Sequence, residues 1–314
     1  MAMADTRLQW GAEALWEQLH SLLPGLSVEI AASLPSTNST LLERARVGSA
    51  VSDPTAGPTP AAVRRSVESS AFGRRAADWQ PCLLVAEEQT AGRGRMGRDW
   101  YSEPLASLTF SLAIPLAPRD WSGLSLAIGV MLANALDPPT AGGKQRIGIK
   151  WPNDLWLIDP AGHAGVGRKL GGILIETVSS GSKRLAVIGI GLNVTKPSPV
   201  HTIPGSSGFA CVSEIEPSLD APQALARVAL PLVEGLLVFE KAGYAAFAER
   251  FAARDLLLDR PVVTTRDDVP HGTARGVAAD GSLFVDTDSG RIQLHSGEVS
   301  VRPRPRPTPA GPAC

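Results

Sequence analysis

This sequence has no excess of charge of either sign. Thirty Lys and Arg stand against 31 Asp and Glu, a formal charge of -1 over 314 residues, so no global field draws the molecule to nucleic acid or anionic lipid and any phosphate recognition must be local. Long apolar runs are missing too. The longest, Leu124 to Leu136, is shorter than the ~20 residues a bilayer requires and holds Asn134, so it reads as a core helix and no membrane partner is expected. Cysteine is scarce: Cys82, Cys211 and Cys314 lie far apart, without a CxxC pair or a nearby His cluster, which excludes a disulfide scaffold and a zinc site. The opening MAMADTRLQWGAE has no basic start leading into an apolar core and a small-residue cleavage site, and a cytoplasmic location is expected. Aromatics make up 5% of the chain, leaving few stacking platforms for bases.

What is present divides the chain into three expected parts: a larger unit of helices and strands over 1–258, a small β-barrel over 259–302 and a disordered Pro- and Arg-rich tail over 303–314. Within the first, 13–23 has helical spacing, Val28 to Ala32 reads as a strand, and Ser36, Thr37 and Asn38 suit the N-cap of a following helix. Residues 48–80 are rich in Gly, Ala, Ser and Pro and carry Arg64, Arg65, Arg74 and Arg75 without an apolar face, as a mobile surface insertion would. CLLVAEE, SLTFSLAIP, RIGIKW, DLWLI, GGILIETV and RLAVIGIGLNV are short apolar runs bounded by turn residues, as strands of a covered sheet. Trp121 to Leu136, 222–240 and 243–254 read as helices. From Arg260 the texture changes to short strands at close spacing with a tight Asp280-Gly281 turn.

The most informative segment is QTAGRGRMGRDW, residues 89–100, set between two apolar strands. Glycine lets backbone N–H groups approach an anion, and guanidinium groups add planar, permanently charged donors, so Arg93, Gly94, Arg95 and Arg98 read as a phosphate clamp. The spacing Gly92-x-Gly94-x-x-Gly97 also matches a dinucleotide fingerprint, but that motif must open a helix, and DWYSEP with Pro104 follows instead. A solvated Arg-Gly tract or an RNA-binding loop is the remaining alternative; such tracts normally lie in repetitive, disordered chain rather than between core strands.

Two further segments carry polar groups. Lys150-Trp151-Pro152-Asn153-Asp154 joins two apolar runs, and Arg168-Lys169-Leu170-Gly171-Gly172 opens another. A lysine beside paired glycines can reach a ligand lying on exposed backbone, whereas a lone lysine more often ends in a surface ion pair and Pro-Asn-Asp is also good turn chemistry. Gly189-Ile190-Gly191-Leu192-Asn193 closes a strand with two glycines and an amide, suited to backbone contact with a flat ring or simply to ending a strand.

Taken in order, STN at 36–38, QTAGRGRMGRDW, KWPNDLWL, RKLGGILIE, GIGLNV and the late GEVSVR resemble the biotin protein ligase family over residues from about 33 to 302. The resemblance implies an α+β fold: a class II aminoacyl-tRNA synthetase-like catalytic domain with a mixed sheet and flanking helices, and an SH3-like C-terminal barrel. It implies ATP-dependent activation of biotin and transfer to a lysine of a biotin carboxyl carrier protein, with ATP and Mg²⁺ as co-substrate, no tightly bound cofactor and no protein-held metal. Ser36, Thr37, Asn38, Gln89, Arg93, Gly94, Arg95, Lys169, Gly171 and Gly172 would bind biotin. Arg93, Arg95, Arg98, Trp100, Asn153 and Asn193 would bind ATP or the adenylate, and Lys169 and Arg95 would be catalytic. A lipoate protein ligase and a nucleic-acid-binding protein are the alternatives. The sequence starts almost at the catalytic unit, so no DNA partner is expected, and homodimerisation by sheet extension is implied by the family alone.

Overall fold

A computed structural model describes residues 9–51, 68–72, 79–140, 142–163, 165–180, 183–196, 208–297 and 299–304. Eight strands form the larger sheet: β1 (Ser27–Leu34), β2 (Glu68–Phe72), β3 (Cys82–Gln89), β4 (Ser107–Pro115), β5 (Ile147–Lys150), β6 (Asp154–His163), β7 (Gly167–Ser180) and β8 (Lys183–Asn193), in the order β2-β1-β3-β4-β8-β7-β6-β5. β1 and β3 are parallel, with Leu34 opposite Gln89, and the other neighbouring pairs are antiparallel. The mixed sheet expected from the sequence is thus present, at nearly the expected strand positions.

Alternation along the central strands explains the layers, because side chains at i and i+2 share a face. Leu83 and Val85 join a core with Leu126, Val130 and Leu232, under helices α1 (Ala12–Leu19), α3 (Leu124–Leu136) and α4 (Ala221–Ala242). Cys82, Leu84 and Ala86 point the other way and pack with Leu41, Leu42 and Ala45 of helix α2 (Thr37–Val51). With helices on both faces, β4 is buried at every position but its last. α4 is as long and apolar as a membrane span, yet half of that stretch is buried inside this molecule, and it packs on α3.

A second, five-stranded antiparallel sheet follows: β9 (Pro261–Thr264), β10 (His271–Val277), β11 (Leu283–Thr287), β12 (Gly290–Leu294) and β13 (Val301–Pro303), in the order β12-β11-β10-β9-β13. It docks on the first part through backbone. Trp151 Nε1 donates to the Gly281 carbonyl at 3.0 Å, and a Cβ at Gly281 would lie 2.6 Å from the Cα of Gly123. Only glycine in the left-handed region fits that turn, where φ is +79°.

Three sequence expectations change. α3 starts at Leu124 rather than Trp121, because Gly123 sits at φ +76° against the Tyr244 ring. The helix expected over 243–254 breaks into a 3₁₀ turn, Tyr244–Ala246, and a short helix, α5 (Ala248–Ala252), with Tyr244, Phe247 and Phe251 all turned into the core. Of the insertion 48–80, the first residues continue α2 and Glu68–Phe72 forms an edge strand on β1. Its remainder up to residue 78 lies outside the described residues, as does the tail from 305.

Candidate functional site

The C-terminal ends of the parallel strands β1 and β3 bring two distant motifs together. Directly after β1, Ser36 caps α2, its Oγ accepting from the Ser39 amide. At the end of β3, Gln89 reaches across: its Oε1 accepts from the Thr37 amide at 2.8 Å and from Thr37 Oγ1 at 3.1 Å. Ser111, in the middle of β4 and fully buried, lies 2.6 Å from both Thr37 Oγ1 and Asn38 Oδ1. Asn38 Nδ2 donates to the Leu174 carbonyl and, at 3.0 Å, to Glu176 Oε2. Behind it, Gly189 has no Cβ, and one placed there would lie 2.3 Å from Asn38 Oδ1. The result is a closed, polar pocket end whose hydrogen bonds are mostly internal.

The Arg-Gly segment is a hairpin rather than a helix opening. Arg93 bridges Asp99, Gly94 N–H donates to the Arg98 carbonyl and Trp100 N–H to the Gly92 carbonyl. Gly92 is required there, since a Cβ would fall 2.2 Å from the Trp100 oxygen. The hairpin places its arginines differently. Arg93 donates to Ser39 Oγ and pairs with Glu176 at 3.1 Å. Arg95 bonds Asn153 Oδ1 and the Ser296 and Gly297 carbonyls ahead of β13, while Arg98 lines the cleft with an exposed side chain. Trp100 packs on Gly191, where a Cβ would lie 2.3 Å from the indole, and its buried Nε1 has no acceptor among the described residues.

On the opposite wall stands a three-charge group. Asp154 accepts from Lys169 Nζ at 2.8 Å and from Lys150 Nζ at 3.3 Å. Burial alone would push the Asp154 carboxyl up, but the two lysines more than reverse this and hold it at about 2. Burial pulls Lys150 below the ordinary lysine value, with Asp154 opposing. Two cations on one anion leave a net positive charge. Lys150 is enclosed, with a side chain 7% exposed, whereas Lys169 is 32% exposed, so Lys169 is the cation offered to the cleft. It also lies 5.7 Å from the Trp100 ring centre.

These groups surround one cleft of about 880 Å³ that is open to solvent and also takes Val299 and Ser300 from beside β13. Of the residues expected from the sequence, Ser36, Thr37, Asn38, Gln89, Arg93, Gly94, Arg95, Arg98, Trp100, Asn153, Lys169 and Gly172 all line it. Gly171 and Asn193 do not. A Cβ on Gly171 would lie 2.6 Å from the Gly191 oxygen, so it serves the close approach of β7 and β8. Asn193 spends both amide hydrogens on the Lys169 and Ala210 carbonyls, which steadies the strand carrying Lys169. Ser111, Lys150, Asp154 and Glu176 are additions to the expected set. Ser111 had a signal, a hydroxyl flanked by Phe110 and Leu112 at the centre of a buried strand, and Asp154 was masked by its fitness for a turn.

Comparison with known proteins follows this geometry. Residues 74–193 match the biotin/lipoate A/B protein ligase family and residues 257–302 the biotin protein ligase C-terminal domain. An acetyl-CoA-carboxylase biotin ligase of Paracoccus denitrificans is 30% identical over 224 residues, covering 69% of this chain and 88% of that protein. The chain belongs to the biotin protein ligase family. Another family member, the bifunctional ligase/repressor BirA of Salmonella typhimurium, is 34% identical over 69% of this chain and 66% of its own length, so the chain spans just under two thirds of that relative. Among solved structures, a biotin protein ligase from Aquifex aeolicus in complex with biotin and ATP superimposes with a TM-score of 0.62 at 23% identity, covering 88% of this chain and 99% of that one. That likeness concerns the fold of the ligase family.

Proposed function

We propose that the chain activates biotin with ATP to biotinyl-5'-adenylate and transfers the biotinyl group to a lysine of a biotin carboxyl carrier domain. The observation that carries this is the convergence, on one cleft, of a polar closed end, an Arg-Gly hairpin and a lysine held between a carboxylate and an indole. A ureido group, with two N–H donors and a carbonyl acceptor, suits the hydroxyl and amide groups of Thr37, Asn38 and Ser111. A dithiolane carries no N–H donor or carbonyl acceptor and would make none of these contacts, which disfavours lipoate. The nucleic-acid reading is disfavoured because the formal charge is -1 and the arginines of the hairpin face one cleft rather than an extended basic surface.

A carboxylate is a poor acyl donor, since its leaving group would be oxide. One biotin carboxylate oxygen attacks the α-phosphorus of ATP and pyrophosphate departs, with Lys169, Arg95 and Arg98 placed to meet the developing charge. Mg²⁺ would come as part of the ATP co-substrate and would add to the charge that meets the phosphates. Trp100, seated on Gly191 and lining the cleft, supports the nucleotide with its indole ring. Asn193, outside the cleft, acts by steadying the strand that carries Lys169. In the second step a lysine amine attacks the anhydride carbonyl, loses its proton, and AMP leaves. The hairpin keeps water out in between.

The same reading divides the chain into a class II synthetase-like catalytic domain over 1–258 and an SH3-like domain over 259–302, working in the cytoplasm. The test is ATP-dependent transfer of labelled biotin, against labelled lipoate, to a biotin-acceptor domain. Lys169→Ala is expected to lower biotin-dependent pyrophosphate release by about 100-fold or more, the range for an electrostatic contact made in the transition state. Preferred lipoate transfer, or a fully active Lys169 variant, would overturn the assignment.

A further inference from the structure

Asn38 and Arg93 belong to different elements, the start of α2 and the Arg-Gly hairpin, yet both end on the carboxylate of Glu176 in β7. Oε2 accepts from Asn38 Nδ2 at 3.0 Å and Oε1 from Arg93 Nη2 at 3.1 Å. The second Asn38 hydrogen goes to the Leu174 carbonyl, and Ser111 Oγ stands 2.6 Å from Oδ1. The amide therefore cannot turn over: a flip would set its oxygen against a carbonyl and a carboxylate. Oδ1 sits in the space that a side chain on Gly189 would fill, and both residues line the cleft. On the other side, the pair with Arg93 is only partly enclosed, the side chains being 24% and 48% exposed, so this contact is weak enough to break and re-form.

We propose that Glu176 is a positioning residue that fixes the Asn38 amide for the bound acid and tethers the Arg-Gly hairpin through Arg93. Acid binding and hairpin closure are then held by the two oxygens of one carboxylate. Glu176 itself does not line the cleft; it acts through its two partners. The inference rests on the biotin-ligase reading above.

The two oxygens can be separated by substitution. Glu176→Gln keeps an acceptor for Asn38 but loses the charge that holds Arg93, whereas Glu176→Ala loses both. Two quantities are read on the full chain with biotin and ATP: the Michaelis constant for biotin in pyrophosphate release, and escape of the adenylate, scored as biotinylation of an unrelated lysine-rich protein. Glu176→Gln is expected to raise escape about fivefold, the scale of one partly exposed ion pair, with a smaller change in the biotin constant. Glu176→Ala adds a rise of about tenfold in that constant. Arg93→Ala should reproduce the escape, and Glu176→Gln combined with Arg93→Ala should add nothing further, because both remove the same contact. Effects that multiply in the double variant, or a Glu176→Ala enzyme with the wild-type biotin constant, would overturn the proposal. A wild-type chain that makes no biotinyl-adenylate would instead remove the reading beneath it, and this proposal with it.

Discussion

Replacing Asp154 by Asn tests the charge group on the cleft wall. Asp154 is held at about 2 against an ordinary 3.8, and each pH unit of displacement is worth about 1.4 kcal/mol, so the ionised carboxylate contributes on the order of 2 kcal/mol to folding at neutral pH. Because the folded value is depressed, this contribution is complete above the unfolded value near 4 and is lost as pH falls through about 2. Asn cannot carry the charge, and Lys150, 6% exposed, is left as a buried cation without its partner, a defect of about 3–5 kcal/mol. Urea unfolding at pH 7 should therefore show a loss of about 3 kcal/mol. Between pH 7 and pH 3 the gap from wild type should narrow by about 1 kcal/mol, because the unfolded chain's carboxyl takes up its proton there while the native one stays ionised. Adding Lys150→Met should recover most of the loss, since removing both members of a buried pair is far less costly than removing one. A gap that does not change with pH, or a double variant no better than the single one, would refute the reasoning.

Two further outcomes are expected. Gly191→Ala places a methyl 2.3 Å from the Trp100 indole, so the ring must leave its seat; the Michaelis constant for ATP in pyrophosphate release should rise about tenfold, and an unchanged constant would mean the indole does not support the nucleotide. Ser111→Ala removes the hydroxyl shared by Thr37 and Asn38 and should weaken biotin binding about tenfold by calorimetry; unaltered affinity would place the ureido group elsewhere.

Most of the sheet was legible because its strands are short, apolar and bounded by turn residues, and the register followed once Cys82, Leu84 and Ala86 and the intervening Leu83 and Val85 faced opposite cores. The edge strand Glu68–Phe72 was not legible: an edge pairs on one side only and needs no continuous apolar pattern. The cleft was visible at the glycines and arginines, whose types have few other uses in such density. Which arginine meets which partner was invisible, since Glu176 and Asn153 are remote from the hairpin in sequence. Asn193 misled for a related reason: the residue type fits a nucleotide base and a strand-bracing contact equally well, and only the positions of the Lys169 and Ala210 carbonyls decide.

The in-register parallel pair has one more result. Leu34 and Gln89 meet at the cleft, while Ser27 and Cys82, at the other end of the same two strands, are paired a full strand length away. Chain added between Val51 and Cys82 must re-enter the sheet at that remote end, so its length does not alter where Gln89 arrives. The arrival of Gln89 at the cleft is thus set by the pairing of β3 with β1, whatever the length of chain that precedes Cys82.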